Sequence, residues 1–382
     1  MDISVVIINY NVQYFLEQCI LSIYESSRNL TVEIIVVDNN SDDDSCAILK
    51  ERYPNVILIE NKENVGFSKA NNQGSKLAKG EFILILNPDT VIGEGTLDSI
   101  ISVARKKQNL GVLGVKLIDG SGEFAPESKR GIPTPSVSFN KLFGISSKQT
   151  CKYYATQLGE NESGIMDVAS GAFMFLRLNV FKEVKGFNED YFMYGEDIDL
   201  SLKLLNKGYQ NYYLGNTKII HFKGESTRKD TKYLNYFHDA MRIFYRKHFK
   251  FNKVYDFFMK LGIEFWYLLK YLKFRKEKTI SKPIRNLLYL GNDETIVNHL
   301  DKKYLVLKGK LIDDYLKIKT VVKNKNIDTV VFDNSEISYK KIIEHFEVLK
   351  SEKVAFRIHP KTTNYLIGSS SPNVRGQVEI IG

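Results

Sequence analysis

Apolar positions along this chain fall into short continuous runs separated by amphipathic stretches. Residues 3–8, ISVVII, are a β-branched run of the kind found in a strand buried on both faces. Apolar spacing from Tyr14 to Tyr24 predicts a helix, and VEIIVV predicts a second strand closing on Asp38. NVILIE and EFILIL predict two more strands, with a helix around Ser68–Ala78 between them. Strand and helix alternating in this way predict a doubly wound α/β sheet. Ligands of such sheets bind at the carboxyl ends of the strands. The polar residues that follow the runs are therefore the candidates: Asn9–Asn11, Asp38–Ser41 and Asn87–Asp89.

Residues 120–165 are richer in Gly, Ser and Pro and less periodic, which predicts a long surface excursion with KRGIPTPS at its centre. Order resumes with MDVASGAFMFLRLNVFKEVKGF, a helix beginning near Glu196, and strands at Tyr209–Tyr213 and Thr217–His221. Residues 233–278 read as helical, with dense aromatic and basic content. Lys260, Glu264 and Lys270 interrupt every apolar run there, so none reaches the roughly 18–20 residues of a membrane span. Two readings stay open for this segment: an amphipathic helix lying on an anionic membrane, or a face packed on protein, including a second copy.

After Lys282–Pro283 a second α/β unit is expected, with strands at NLLYLG, KYLVLKG, DTVVFDN and KVAFRIHP and a long helix over Tyr339–Ser351. Its first turn, LGNDET, has only Gly291 and lacks GxGxxG, so the pattern is Rossmann-like without a dinucleotide fingerprint. The expected organisation is a catalytic unit over 1–232, a basic aromatic helical segment over 233–282, and a small α/β unit over 283–382.

Composition narrows this picture. With 43% hydrophobic and 26% charged residues in 382, whole-chain disorder is excluded. Cys19, Cys46 and Cys151 form no CxxC pair, which argues against a disulfide framework or a thiolate zinc cluster. MDISVVIINYN carries no basic leader, so a cytoplasmic location is expected. Residues 1–225 hold 23 Lys+Arg against 28 Asp+Glu, while 226–282 hold 15 against 5. Positive charge is thus gathered in one segment, which speaks for one basic surface and against a nucleic-acid-coating protein.

Four groups of residues can carry chemistry. Asp38 can accept hydrogen bonds from a base or ribose, or simply hold the turn that follows it. Asp89, behind Asn87-Pro88, is placed to hold a hard divalent cation across a diphosphate. Glu196, Asp197 and Asp199 crowd a helix N-terminus; they either cap the helix or supply a general base. His221 ends a strand-like run, where it is either structural or a metal ligand. Gly224, Ser226, Thr227 and Arg228 behind it can form a loop over a phosphate.

In their order and spacing, VVIINYN, VVDNNSDD, NVGFSKANNQG, LNPDT, SGAFMFLR and FMYGEDIDLSLKLLNKGY resemble the family 2 glycosyltransferases, the rhamnosyltransferase-like bacterial members in particular. The resemblance covers residues 1 to about 250. It implies a GT-A fold and inverting transfer from a UDP- or dTDP-sugar to a hydroxyl of a lipid-linked or polysaccharide acceptor. It places Asn9, Asn11, Asp38, Asn64, Gly66, Asn71 and Asn87 around the nucleotide. It makes Asp89 and His221 ligands of Mn²⁺ or Mg²⁺, with Asn87 standing where the family has its first acid. Asp197 becomes the base, with Glu196 second, and Lys129 and Arg130 meet acceptor or phosphate. The last hundred residues more loosely resemble the Rossmann-like domain of polyprenyl-phosphate sugar transferases.

Two other classes compete with this reading. A sugar-phosphate nucleotidyltransferase would also use an α/β sheet and a metal, yet no Gly-rich, Lys/Arg-bearing phosphate loop follows the first strand. A catalytically silent binding module would have no use for Asp38, Asp89, Asp197 and His221 together.

Overall fold

A computed structural model describes residues 1–134, 157–225, 231–249, 261, 262, 264, 267, 284–309, 315–369 and 376–381. Strand β1 (Ile3–Asn9) is buried along its whole length, as its unbroken β-branched run requires. It leads through α1 (Gln13–Ser26) to β2 (Val32–Asp38), and through α2 (Ser45–Arg52) to β3 (Ile57–Glu60). Helix α3 (Phe67–Leu77) then returns the chain to β4 (Phe82–Leu86), which is followed by the short β5 (Thr90–Ile92). Strands β3, β2, β1 and β4 are adjacent in that order and parallel. The ends of β1 and β2 stand side by side, with Asn9 opposite Asp38.

The sheet becomes mixed beyond β4. Helix α4 (Thr96–Lys106) and β6 (Leu110–Ile118) come next, then the two-residue strands β7 (Lys129–Arg130), β8 (Gly164–Ile165) and β9 (Val168–Ala169). Strand β10 (Phe173–Arg177) runs antiparallel between β4 and β6. After α5 (Leu178–Glu183) and α6 (Glu196–Asn206), β11 (Gln210–His221) pairs with β6 and brings His221 opposite Thr90 on β5. The two strands expected over 209–221 are one, with a register irregularity between Leu214 and Lys218. The excursion expected at 120–165 is not wholly superficial: Ala125, Ser128 and Lys129 are buried, because a 3-10 turn at Pro126–Ser128 and β7 tuck under β9. Residues 135–156 of that excursion lie outside the described residues.

Helix α7 (Thr231–His248) lies in the basic aromatic segment. Ala240 and Phe244 on α7 pack with Tyr191 and Leu202, and His248 Nε2 meets Asp199 Oδ1 at 2.7 Å. Part of this segment's apolar face is therefore covered by protein, while most of residues 250–278 lies outside the described residues. No described helix is long and apolar enough to cross a membrane.

The second sheet is built from β12 (Asn286–Leu290), β13 (Leu305–Gly309), β14 (Thr329–Asp333), β15 (Ala355–His359), β16 (Tyr365–Gly368) and β17 (Gln377–Ile380). The order is β13-β12-β14-β15-β16-β17, parallel up to β15 and antiparallel after it. Helices α8 (Glu294–Leu300), α9 (Tyr315–Asn324) and α10 (Tyr339–Leu349) complete it. One apolar cluster spans both sheets: Val12, Phe15, Val91, Ile118, Ile220 and Phe222 pack with Ile343, Phe346 and Tyr365 of the second unit. The Lys116 and Lys218 ammonium groups both reach Glu347 on α10, and the Glu94 carboxylate accepts the Tyr339 and Lys340 N–H groups at its start. Such an anion at a helix N-terminus satisfies donors that the helix itself leaves open.

Candidate active site

A cavity of about 560 Å³ opens at the carboxyl ends of the first sheet's strands, where the sheet type calls for a ligand. Asp89, His221, Glu196, Asp197 and Arg130 line it together. Asp89 and His221 come from the antiparallel β5–β11 pair, and His221 Nε2 lies 3.3 Å from Asp89 Oδ1. Asn87 Nδ2 is 3.4 Å from the same imidazole nitrogen. The Asn87 carbonyl accepts the Thr90 hydroxyl at 2.8 Å, which fixes the turn around Pro88. His221 Nδ1 is buried with no hydrogen-bond partner.

A further part of the lining is the start of α6. Tyr194 and Gly195 both take left-handed backbone, with φ of 69° and 80°, and this sharp turn delivers Glu196 and Asp197 to the cavity. A non-glycine residue in that conformation is costly and concentrates at functional sites. Asp197 Oδ2 accepts from the Arg130 guanidinium and from the Gly171 N–H at 3.1 Å. Arg130 also donates to the Ala169 carbonyl at 3.0 Å, so the guanidinium is fixed on two sides. Burial and the neighbouring Asp197 push the Glu196 carboxyl up to about 8, and its Oε2 is buried with no partner. Asp199 faces away, toward His248 and Lys247 on α7. Burial opposes its charge, but those two donors bring its pKa below the ordinary carboxylate value.

The nucleotide-side candidates divide. Asn64 lines the cavity and accepts the Gly66 N–H at 3.0 Å. Gly66 has φ of +85°, and an added Cβ there would lie 2.6 Å from the Phe192 carbonyl, so a side chain is excluded. Asp38 stands one residue behind the cavity lining, in which Asn39 takes part. Its carboxylate accepts from Asn9 Nδ2 at 2.7 Å, Ser41 Oγ at 2.6 Å and Ser41 N at 2.8 Å. Asn11 belongs to the same knot, accepting the Asp42 N–H at 2.7 Å. Asn71 is fully buried in α3 and donates to the Phe67 carbonyl, clear of the cavity lining.

Lys129 and Arg130 part company. Successive residues of a strand point to opposite faces. Arg130 enters the cavity, whereas the buried Lys129 ammonium bonds the Leu158 carbonyl and lies outside the lining. Of the two basic residues expected to meet acceptor or phosphate, only Arg130 is part of this lining.

Tyr10, from the candidate stretch Asn9–Asn11, lines the cavity, and so do Glu127 and Lys223, which the sequence alone does not single out. Lys223 Nζ and Glu127 Oε1 are 2.6 Å apart. Burial opposes the Glu127 charge, but Lys223 and then His221 hold its pKa below the usual value. Lys223 follows His221 by two residues, which was the signal available for it. Ser226, Thr227 and Arg228 lie outside the described residues.

Residues 4–184 match the model for Glycosyl transferase family 2. That match takes in just under half of the chain, and the mixed sheet there, with its parallel β3-β2-β1-β4 half, is the GT-A architecture. The chain is similar to the N-acetylglucosaminyl-diphospho-decaprenol L-rhamnosyltransferase of Mycobacterium tuberculosis (strain ATCC 25618 / H37Rv): 28% identity over 245 residues, 60% of this chain and 78% of the relative. Rhamnosyltransferase WbbL of Escherichia coli (strain K12) is 31% identical over 157 residues, 40% of this chain and 56% of that protein. Among solved structures, S. aureus TarS 1-349 superposes with a TM-score of 0.45 at 16% identity, covering 70% of this chain and 72% of that one.

Proposed function

We propose that the chain is an inverting glycosyltransferase of cell-surface glycan synthesis, moving a sugar from a UDP- or dTDP-sugar to a hydroxyl of a lipid-linked or polysaccharide acceptor. The observation that carries this reading is the convergence of Asp89–His221 and Asp197–Arg130 on one cavity. The rhamnosyltransferase relatives make dTDP-rhamnose the first donor to test.

The donor set on one wall fits a divalent cation. A carboxylate and an imidazole nitrogen converge there, and diphosphate oxygens would complete the shell that oxygen-preferring Mn²⁺ and Mg²⁺ require. Among the described residues no group of three protein donors comes together, so the nucleotide itself is expected to supply ligands. The cation would neutralise charge on the departing diphosphate.

The chain's own groups do the remainder. An acceptor hydroxyl is a poor nucleophile, and Asp197 is placed to take its proton while Gly171 N–H and Arg130 hold the carboxylate in one orientation. The acceptor oxygen then bonds the anomeric carbon as the bond from that carbon to the diphosphate oxygen breaks. The leaving group departs with the electron pair, and attack from the opposite side inverts the centre. Glu196, with its pKa raised to about 8, is largely protonated at neutral pH and suits a hydrogen-bond donor to substrate better than a base. The net positive segment over 226–282 suits an acceptor held at an anionic membrane surface.

The test is a thermal-shift and transfer series with UDP, dTDP, GDP and CMP and their sugars, each with and without Mn²⁺. Metal-requiring stabilisation by UDP or dTDP, with sugar transfer to a polyprenyl-diphosphate acceptor, is the expected result. Absence of both with all four nucleotides overturns the reading.

A further inference from the structure

The second unit carries a cavity of its own, of about 470 Å³, between the face of its sheet, the turn after α8 and strand β17. Arg357, in the middle of β15, forms one wall and is 5% exposed. Its guanidinium donates to the Phe356 carbonyl at 3.0 Å and to the Gln377 side chain. Among the described residues no carboxylate lies within ion-pairing distance of it. Of the two acidic groups that act on its charge, Glu379 also lines the cavity and Glu225 does not, and both are held by other donors. Glu379 meets Lys303 Nζ at 2.8 Å and Tyr304 OH at 3.2 Å, and Glu225 accepts the Gly376 N–H at 2.6 and 2.8 Å. Burial accordingly pulls the Arg357 pKa down to about 10, against Glu379, Tyr304 and Glu225. A buried cation without a direct counter-charge is costly.

A second unmet group faces the same space. Thr329 lines the cavity and is fully buried, and its hydroxyl has no hydrogen-bond partner. Buried hydroxyls are rarely left in that state. An unpaired guanidinium and an unpartnered hydroxyl are both satisfied by an oxyanion, which supplies charge to the first and lone pairs to the second. Lys303 stands on the same wall, and its ammonium keeps donors beyond the one that Glu379 accepts. Leu287, Leu366 and Val378 complete the lining with apolar surface, so the space suits a carbon skeleton as well as the charged group.

We propose that this cavity binds a small organic oxyanion, a phosphate monoester or a carboxylate, anchored by Arg357 and Thr329 with Lys303 beside them. The site is separate from the catalytic cavity yet tied to it along the chain. Gln377, which accepts from Arg357, directly follows Gly376, and the Gly376 N–H holds Glu225, four residues beyond His221.

The experiment uses the full chain without nucleotide and follows melting temperature and calorimetric binding. The probes are inorganic phosphate, glycerol phosphate, pyruvate and, at matched ionic strength, sodium chloride. Saturable stabilisation by an oxyanion but not by chloride is expected, and the probe that binds tightest separates phosphate esters from carboxylates. Affinity should fall about tenfold in R357M and in T329V, and less in K303M. Thr329→Val preserves shape and removes only the hydroxyl, so it decides the matter even if Arg357→Met fails to fold. The proposal is overturned if no probe binds saturably up to about 50 mM, or if binding is unchanged in T329V and K303M, as it would be for an anion held in the catalytic cavity.

Discussion

His221 Nε2 and Asp89 Oδ1 stand 3.3 Å apart although 132 positions separate them, because β5 and β11 run antiparallel with Thr90 opposite His221. This pair should decide metal-dependent nucleotide binding. Replacing Asp89 with Ala is expected to abolish the stabilisation that UDP or dTDP gives in Mn²⁺. His221→Ala should weaken it roughly tenfold or more, the usual scale of losing one metal ligand or its support. Thermal shift with and without the metal reads both variants. Unchanged metal-dependent stabilisation in D89A would remove the metal assignment.

The contact of Arg130 with Asp197 separates binding from chemistry. Asp197→Asn keeps the shape of the side chain and removes its capacity to take a proton. Its kcat is expected to fall by about 10²–10⁴, the range for a lost general base, with donor KM nearly unchanged. Arg130→Met should lower kcat less, because it loosens the Asp197 carboxylate without removing it. Equal losses of kcat in E196Q and D197N would argue against Asp197 as the base.

Glu196 makes stability fall as pH rises. Its carboxyl is raised in the folded protein from 4.5 to about 8, so the folded state favours the proton more than the unfolded chain does. Its contribution is full below about pH 4.5 and is lost progressively as pH climbs through about 8. Removing the charge with E196Q should therefore stabilise the protein most above pH 8, by at most about 5 kcal/mol. Denaturant titrations of wild type and E196Q between pH 5 and pH 9 test this. Parallel curves across that window would show that Glu196 ionises freely.

Lys116 is 1% exposed and its charge is met by Glu347 of the second unit. Deleting one partner of a buried pair strands the other, at a typical cost of 3–5 kcal/mol. E347A is expected to destabilise the chain by about 3 kcal/mol, and K116M in the E347A background should recover part of that loss. Lys218, the second cation on Glu347, is more exposed and should matter less. Equilibrium unfolding of wild type, K116M, E347A and the double variant measures the coupling.

The apolar cluster running from Phe15 and Phe222 to Phe346 and Tyr365 joins the two sheets through one contiguous core. A single calorimetric transition is expected for the full chain. A chain ended at residue 282 should expose that cluster and bind a hydrophobic dye strongly. Two well-separated transitions would show instead that the contact between units contributes little.

Much of the framework was legible because it is written in local pattern. The runs ISVVII, VEIIVV and EFILIL have the period and length of buried parallel strands, and the polar residues behind them fall at the cavity end of the sheet. Strand β6 was harder to read: its glycines and Lys116 break the apolar run, and only contacts with Asn161, Glu160 and Glu347, distant in sequence, show how that lysine is buried. Strands β16 and β17 are four residues each, too short to stand out from a loop by periodicity.

The sequence by itself determined the alternation of strands and helices, the carboxylates at the strand ends and the resemblance that the family match bears out, since these depend on residue type and near spacing. It did not determine which of those polar groups face one another. Asp38 turns into a knot with Asn9 and Ser41, Lys129 turns away while Arg130 turns in, and Asp89 finds His221 across the sheet. Those choices belong to the tertiary structure. Strand pairing sets which residues meet, and the low dielectric of the interior makes each charge depend on the partner it meets there.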